Sequence, residues 1–269
     1  MKLLSGAEMS GFIKERQARA VRGLRQAHGV NPKLAIVATS DHPAIQVYMR
    51  MKQQYGADIG IAVDVHRVNQ ADAMPLLERL NADTEVHGVI VQLPLADPSK
   101  TDEICDQVLP AKDVDALGRA ATYEPATPMA ILWLLAGYNV ELKGKKIVLV
   151  GRGKLVGAPL ERQLRSSSLE VEVVDRSTLD IATVLQKADI IISATGQPGI
   201  VTSAMIKPGA VVVDAGVAGE QGKTTGDLAD DVYERLDLTI TPRKGGVGPL
   251  TICALFENVL RAAHESLTA

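Results

Sequence analysis

The sequence predicts a two-domain α/β protein, and three observations lead to that fold class. The 269 residues exceed the usual size of a small domain and suit two modest domains or one large one. Short runs rich in Val and Ile alternate with amphipathic, helix-like segments, which is typical of parallel sheets with helices on both faces. One of those runs leads into a glycine-rich turn, which indicates a Rossmann-type, doubly wound nucleotide-binding domain in the second half of the chain.

Eight apolar runs have the length and composition of buried strands. They are Lys33–Thr39, Ile61–Val65, Gly88–Gln92, Lys145–Val150, Glu170–Val174, Ile190–Ala194, Ala210–Asp214 and Leu238–Thr241. The amphipathic stretches between the early runs include Glu8–Ala27, Ala44–Tyr55 and Ala71–Leu80.

The segment Glu124–Pro128 predicts the boundary between the two domains. Its two prolines end the element that precedes them, and Pro128 can begin a helix. Near the C-terminus, Leu250–Leu260 is apolar on a helical period and can pack back on the first half. We therefore expect a discontinuous first domain of residues 1–125 and 252–269, a second domain of residues 126–251, and a ligand cleft between them.

Composition excludes several classes of protein. Hydrophobic residues make up 46% and charged residues 23% of the chain, which predicts a packed core rather than disorder. The two cysteines, Cys105 and Cys253, form no CxxC motif, which argues against a disulfide scaffold or a zinc site and fits a reducing cytosol. A net charge of −3 with 3% aromatic residues gives no footprint for nucleic acid. No apolar stretch is long enough to span a bilayer and no leader pattern begins the chain, so we expect a cytoplasmic protein without a membrane partner or a metal.

The glycine-rich turn is the strongest single motif. The apolar run Ile147–Val150 continues directly into Gly151–Gly157, with the spacing GxGxxxG, one residue longer than the common NAD pattern. Gly151 permits the tight turn, and Gly153 lets the backbone approach a pyrophosphate. The following helix would offer free N–H groups and a partial positive charge to that anion. A glycine-rich turn alone is weak evidence, but its place between a strand and a helix favours a dinucleotide site.

The next strand carries the residues that distinguish NADP from NAD. It ends in Asp175 and Arg176, where an acid usually binds a ribose 2′-hydroxyl and an arginine accepts a 2′-phosphate. Arg152 supplies a second cation, so we favour NADP and keep NAD as the alternative. A solvated strand end is the plain structural interpretation of the Asp-Arg pair.

The first half contains residues suited to acid–base chemistry. Tyr48 and Lys52 are four residues apart on a predicted helix and share one face, where a phenol beside an amine can position a water and transfer its proton. A desolvated lysine is a competent base, although spacing alone favours an exposed amphipathic pair. Gln92 ends a buried strand at the edge where open α/β sheets bind ligands. The loop Lys112–Asp115 adds two carboxylates, for which solvated charge or a helix cap is the simple explanation.

Taken together, five motifs in order resemble one family. They are Tyr48-x-x-x-Lys52, Val91–Leu95, Lys112–Asp115, Gly151–Pro159 and Gly245–Thr251. In this order they are similar to the bifunctional methylenetetrahydrofolate dehydrogenase/cyclohydrolases, and the resemblance runs from Lys2 to Asn258.

The resemblance implies oxidation of 5,10-methylenetetrahydrofolate by NADP, followed by hydrolysis of the methenyl product to 10-formyltetrahydrofolate, a one-carbon donor for purine biosynthesis. It implies that Lys52 is the general base, that Tyr48 and Gln92 orient it, and that Asp115 grips the pterin ring. The remaining residues implied to line the folate pocket are Leu93, Pro94, Pro249, Leu250 and Thr251.

The resemblance also implies the nicotinamide cofactor site and a homodimer. The residues implied to bind the cofactor are Gly151, Arg152, Gly153, Val156, Arg176, Ser177 and Val217.

Several positions depart from the family pattern. Ile45 stands where a serine is usual and Ala126 where a cysteine is usual, which keeps a dehydrogenase-only enzyme open as the alternative. Gly153 replaces a serine and Asp175 a histidine, which keeps NAD open. Ala116 replaces a glycine, and Arg243-Lys244 replaces Val-Pro. More distant alternatives are a dehydrogenase for shikimate-like acids and a non-catalytic dinucleotide-binding regulator, neither of which explains Lys52, Gln92 and Asp115 together.

Overall fold

Helices and parallel strands alternate along the chain, as the sequence predicts. The computed structural model describes residues 1–216, 218–220 and 223–268. Its strands are β1 (Lys2–Leu3), β2 (Lys33–Ala38), β3 (Ala62–Arg67), β4 (Gly88–Gln92), β5 (Ile147–Val150), β6 (Val171–Val174), β7 (Ile190–Ser193), β8 (Val211–Asp214), β9 (Ala218–Glu220), β10 (Lys223–Thr225) and β11 (Thr239–Ile240). Its α-helices are α1 (Gly6–His28), α2 (Pro43–Ile59), α3 (Ala73–Ala82), α4 (Thr101–Cys105), α5 (Ala126–Gly137), α6 (Gly157–Ser166), α7 (Ile181–Leu185) and α8 (Val247–Glu265).

The first half forms a three-stranded parallel sheet in the order β3-β2-β4. Every residue of β4 is buried, which explains its continuous apolar run, because both faces of a parallel sheet are covered. The pairing of Ala38 with Gln92 brings the carboxyl ends of β2 and β4 to the same edge. The sheet therefore places Gln92 at the edge where ligands bind in open α/β folds.

Five strands of the second half and β1 from the start of the chain form a six-stranded parallel sheet in the order β1-β11-β8-β7-β5-β6. From β5 the chain first adds β6 on one side and then returns to add β7 on the other side. The strand order thus reverses at β5, which is the topological switch point of a doubly wound sheet. The glycine-rich turn begins directly after β5, so it lies at that switch point.

The chain divides into two compact units. The six-stranded unit contains Met1–Ser10 and Thr127–Thr251, and the three-stranded unit contains Gly11–Ala126 and Ile252–Ala269. Residues 1–10, which the sequence analysis assigned to the first domain, belong by contacts to the six-stranded unit. The reason is that β1, a two-residue edge strand too short for a hydrophobic pattern to reveal, pairs in parallel with β11.

Helix α5 begins at Ala126, two residues before the predicted start. Pro128 is its third residue, where the missing N–H costs nothing because the first turn has no intrahelical acceptors for its donors. None of the helices in the described part of the chain combines the length and apolar character needed to cross a membrane.

Candidate active site

Lys52 and Gln92 form a direct contact inside the three-stranded unit. Lys52 lies on α2, and its Nζ donates a hydrogen bond to Gln92 Oε1 at 2.9 Å. The Gln92 amide is oriented from its other end, because its Nε2 donates to the carbonyl of Leu93 at 3.0 Å. Gln92 is only 9% exposed. The contact therefore fixes the lysine amine at the carboxyl end of β4.

Burial lowers the pKa of the Lys52 amine, and the negative charge of Asp115 partly raises it again. For Asp115 the order is the same, since burial raises the pKa of its carboxyl and Lys52 lowers it. Lys52 is half-buried, so the exposed amphipathic pair that spacing favours is wrong for the lysine. Tyr48, one turn earlier on α2, remains 39% exposed, and partial burial raises the pKa of its phenol.

The loop that carries Asp115 is held from several sides. The carbonyl of Lys112 accepts from Val89 N at 2.7 Å, and the carbonyl of Val114 accepts from Asn258 Nδ2 at 2.9 Å. Asp113 is 3% exposed and accepts from the backbone N–H of Gly118 at 2.8 Å, and its burial raises the pKa of its carboxyl to about 6. The two carboxylates are therefore not solvated charges. Asp113 stabilises the loop by accepting a backbone hydrogen bond, and Asp115 interacts electrostatically with Lys52.

The other predicted folate residues fall in two places. Leu93 is half-buried and Pro94 exposed, directly after β4, with a cis peptide bond between them. Pro249, Leu250 and Thr251 lie in the first turns of α8 and belong to the six-stranded unit. Leu250 is completely buried, so in this structure it is a core residue, whereas its two neighbours are half-buried.

The glycine turn after β5 has the form of an anion cradle. Gly151 has φ +96°, and a Cβ there would lie 2.9 Å from the carbonyl oxygen of Ala194. At Gly157 a Cβ would overlap the Gly151 carbonyl, so the absence of a side chain there lets α6 begin directly after the turn. At Gly153 a Cβ would meet nothing within 4 Å, so the backbone faces open space. This arrangement fits the pyrophosphate of a dinucleotide, and Val156, half-buried just before α6, completes the turn.

An open groove of about 660 Å³ lies beside this turn. Its charged lining residues are Arg152, Glu161, Arg162, Arg165 and Asp175. Three of them, Glu161, Arg162 and Arg165, are residues that the sequence analysis did not single out. The available signal was their position on the first helix after the glycine turn, with Glu161 and Arg165 one helical turn apart.

The predicted cofactor residues after β6 are arranged around Asp175. Its Oδ1 accepts from the N–H of Ser177 at 2.9 Å and from the hydroxyl at 2.6 Å. These hydrogen bonds, together with the charge of Arg152, hold the pKa of Asp175 below its usual value. Arg176 is exposed in the same turn. Val217 lies outside the described residues.

Two carboxylates lie at the carboxyl ends of β7 and β8, and no motif in the sequence marks them as a pair. Asp227 is completely buried and accepts from Ser193 Oγ at 2.6 Å and from the N–H groups of Thr195 at 2.7 Å and Gln197 at 3.0 Å. Asp214 in turn accepts from the N–H of Asp227 at 3.1 Å, and burial raises the pKa of Asp214.

Each of these carboxylates also lies against a glycine. A Cβ on Gly216 would overlap the carboxylate of Asp227, and a Cβ on Gly226 would overlap that of Asp214. The arrangement is therefore reciprocal. Asp227 fills the space beside Gly216, which follows Asp214 closely in the chain. Asp214 fills the space beside Gly226, which directly precedes Asp227.

Within the described ranges, no three His, Cys, Asp or Glu side chains are close enough to hold a metal ion. The three-stranded unit offers a partly desolvated amine and two carboxylates, and the six-stranded unit offers a glycine turn with open backbone.

This fold and these residues define an NAD(P)-binding α/β enzyme with a separate unit that carries an acid–base site. Comparison with known proteins gives the family. Residues 4–115 match the family model "Tetrahydrofolate dehydrogenase/cyclohydrolase, catalytic domain", and residues 125–267 match the NAD(P)-binding domain of the same family. The chain belongs to the tetrahydrofolate dehydrogenase/cyclohydrolase family.

Individual relatives agree over nearly the full length. The bifunctional protein FolD of Heliobacterium modesticaldum is 39% identical over 272 residues, which are 96% of this chain and 94% of the relative. The crystal structure of the bifunctional FolD methylenetetrahydrofolate dehydrogenase/cyclohydrolase of Campylobacter jejuni has a TM-score of 0.92 at 34% identity, covering 98% of this chain and 99% of that one. The Trypanosoma brucei enzyme, solved with NADP and an inhibitor, has a TM-score of 0.92 at 30% identity, covering 99% and 98% of the two chains.

Proposed function

We propose that this protein oxidises 5,10-methylenetetrahydrofolate to the 5,10-methenyl form with NADP and then hydrolyses that product to 10-formyltetrahydrofolate. The observation that carries the proposal is the Lys52 amine, held 2.9 Å from Gln92 Oε1 in a desolvated position beside Asp115. The same chain also carries the glycine turn that fits a dinucleotide, so it has groups suited to each of the two steps.

In the hydrolytic step, a water oxygen attacks the methenyl carbon, and its proton passes to the neutral Lys52 amine. The hydroxyl group now on that carbon gives up its remaining proton as it becomes the carbonyl and the bond from the carbon to N5 breaks. N5 takes one proton and the formyl group stays on N10, so one proton is released overall. The methenyl carbon is already electrophilic, so the protein mainly supplies a positioned water and a base, a contribution of about 10²–10⁴-fold. Burial of Lys52 favours its neutral form, which is the form that accepts the proton.

The neighbouring residues take the roles that the family resemblance implies. Gln92 fixes the Lys52 amine through its amide oxygen. Tyr48, one turn away on α2, lines the face of the folate ring, and Asp115 binds the pterin. Leu93 and Pro94 continue the folate pocket from the carboxyl end of β4. Pro249 and Thr251 are the half-buried residues through which the start of α8 contributes.

For the oxidative step, NADP, when bound, would supply the acceptor for the hydride of the methylene carbon. The residues that would hold it are the turn residues Gly151, Arg152, Gly153 and Val156, with Arg176 and Ser177 after β6. The fit rests on the open backbone at Gly153 and on the guanidinium groups in the adjacent groove. No protein acid is needed for this step, because the departing hydride leaves the methenyl cation behind.

We also propose a cytoplasmic homodimer that supplies one-carbon units for purine biosynthesis, without a nucleic-acid or membrane partner. The net charge of −3 and the family membership support this setting. Sedimentation of the purified protein tests the stoichiometry, and a monomer at micromolar concentration would contradict it.

The activity is tested with purified protein, 5,10-methylenetetrahydrofolate and either NADP or NAD. Reduced cofactor, methenyl product and 10-formyl product are followed separately. Turnover with NADP through to the formyl product is expected. Accumulation of methenyl product without enzyme-accelerated hydrolysis would instead select a dehydrogenase-only enzyme, the alternative favoured by Ile45, a 2% exposed side chain where the family usually has a serine.

Replacing the base separates the two steps. We expect Lys52→Met to reduce the hydrolysis rate by about 10²-fold or more while hydride transfer stays measurable. Arg50→Met is the matched control, since it removes an exposed cation from the same helix and should change neither step. Equal loss of both steps in a folded Lys52→Met protein would contradict the assigned role.

A further inference from the structure

The groove beside the glycine turn is lined by charged side chains of both signs. Three guanidinium groups, from Arg152, Arg162 and Arg165, line it together with the carboxylates of Glu161 and Asp175. The groove therefore has one net positive charge rather than three. Asp175 stands at the end of β6, but Glu161 comes from inside α6.

Glu161 is the most enclosed of these charged groups. Its side chain is 9% exposed, whereas those of Arg152 and Arg165 are 61% and 57% exposed. Its Oε2 accepts from Arg152 Nε at 2.8 Å, and its Oε1 forms an ion pair with Arg165 Nη2 at 3.0 Å. One buried carboxylate thus joins a guanidinium of the turn to a guanidinium of the helix.

We propose that Glu161 is a specificity-determining residue, which sets the preference between NADP and NAD by cancelling part of the positive charge in the groove. This inference rests on the proposed use of a nicotinamide dinucleotide. The two cofactors differ only at the adenosine ribose, where NADP carries a 2′-phosphate and NAD a neutral hydroxyl. A change in the charge of the groove therefore acts on NADP and leaves NAD nearly unaffected.

The position of Glu161 makes it suited to this role. Both of its oxygens are engaged by arginines, so it holds them beside the groove while lowering their combined charge. Arg162 makes no ion pair within the described part of the chain, so it leaves one uncompensated cation for the phosphate. The result is a groove that accepts a 2′-phosphate with restrained affinity and keeps NAD as a competitor.

The test is the affinity of Glu161→Gln for each cofactor, measured separately by calorimetry at low and high salt. The substitution keeps the size of the side chain and one acceptor oxygen, and it raises the net charge of the groove from one to two. We expect NADP to bind about fivefold to tenfold tighter at low salt, a smaller gain at high salt, and NAD to bind within about twofold of the wild type. A merely structural defect could not tighten binding.

Glu172→Gln is the matched control. Glu172 is an exposed carboxylate on β6 that pairs with Lys146 at 2.9 Å, so its replacement changes the protein's net charge equally without touching the groove. The NADP-to-NAD affinity ratio should stay at the wild-type value. Unchanged or weaker NADP binding in folded Glu161→Gln protein would overturn the proposal.

Arg165→Gln provides a second test at an exposed residue of the groove. It lowers the groove to no net charge, so NADP should bind about fivefold or more weakly while NAD binding is unchanged. Equal weakening of both cofactors would overturn the proposal. These binding measurements contain no folate, so a protein with the expected shifts but no folate turnover would refute the proposed function and leave this inference intact.

Discussion

The pKa of Lys52 results from two opposed influences, and removing one of them gives a sharp prediction. Burial lowers this pKa, and the carboxylate of Asp115 raises it. In Asp115→Asn the raising influence disappears while the side chain keeps its size. The pKa of Lys52 should therefore fall further, so that more of the amine is neutral at any given pH.

The size of the change follows from the electrostatics of a close pair. A neighbouring opposite charge changes the equilibrium between the charged and the neutral amine by roughly tenfold or more. We expect the pKa of Lys52 to fall, because burial then acts on the amine without the opposing charge of Asp115. The rising limb of kcat for methenyl hydrolysis should move to lower pH by the same amount. On that limb the variant should be about tenfold faster than the wild type at saturating folate.

The assay is the pH profile of kcat and of KM for methenyltetrahydrofolate, followed by loss of the methenyl absorbance. KM should rise, because Asp115 is also proposed to grip the pterin. Asp113→Asn is the control: the carboxyl of Asp113 has a pKa of about 6, but its charge is not among the influences on Lys52. A rising limb that stays in place in Asp115→Asn, or moves only in Asp113→Asn, would refute the assignment of this limb to Lys52.

Two further predictions concern the six-stranded unit. Gly151→Ala should lower the free energy of unfolding by about 1–3 kcal/mol, because φ +96° is strained for alanine and its Cβ would press on Ala194. Gly153→Ala should leave stability unchanged and weaken only cofactor binding; urea denaturation and calorimetry distinguish the two, and equal stability losses would contradict the cradle geometry. Asp227→Asn should lower the free energy of unfolding by about 2–3 kcal/mol and speed hydrogen exchange of the Thr195 amide, since a buried charged acceptor is lost. Unchanged exchange at that amide would contradict the role of the carboxylate.

Most of the fold could be predicted because buried parallel strands leave an unmistakable pattern. The strand Gly88–Gln92 was predicted with its observed bounds, since apolar residues on both faces stop abruptly at a polar one. The two-residue strand β1 could not be predicted, because so short a segment has no period. Its pairing with β11, far along the chain, decides that residues 1–10 join the six-stranded unit.

The site could be predicted only as far as its motifs extend. The four-residue spacing puts Tyr48 and Lys52 on one face, but it does not tell what covers that face, so the desolvation of Lys52 emerged only from the structure. Glu161 was missed for a similar reason: its meaning depends on Arg152, which reaches it from a different element across the start of α6. Pairings between elements are set by packing, and no local pattern in the sequence records them.

The reciprocal arrangement of Asp214 with Gly226, and of Asp227 with Gly216, limits the substitutions that this protein can tolerate. A side chain added at either glycine displaces a carboxylate, and a displaced carboxylate leaves backbone donors of the neighbouring strand ends unpaired. A side chain at either glycine alone is therefore expected to be strongly destabilising, and a larger residue there requires a smaller one in place of the facing acid. This small region should therefore tolerate fewer single substitutions than the exposed turns around it.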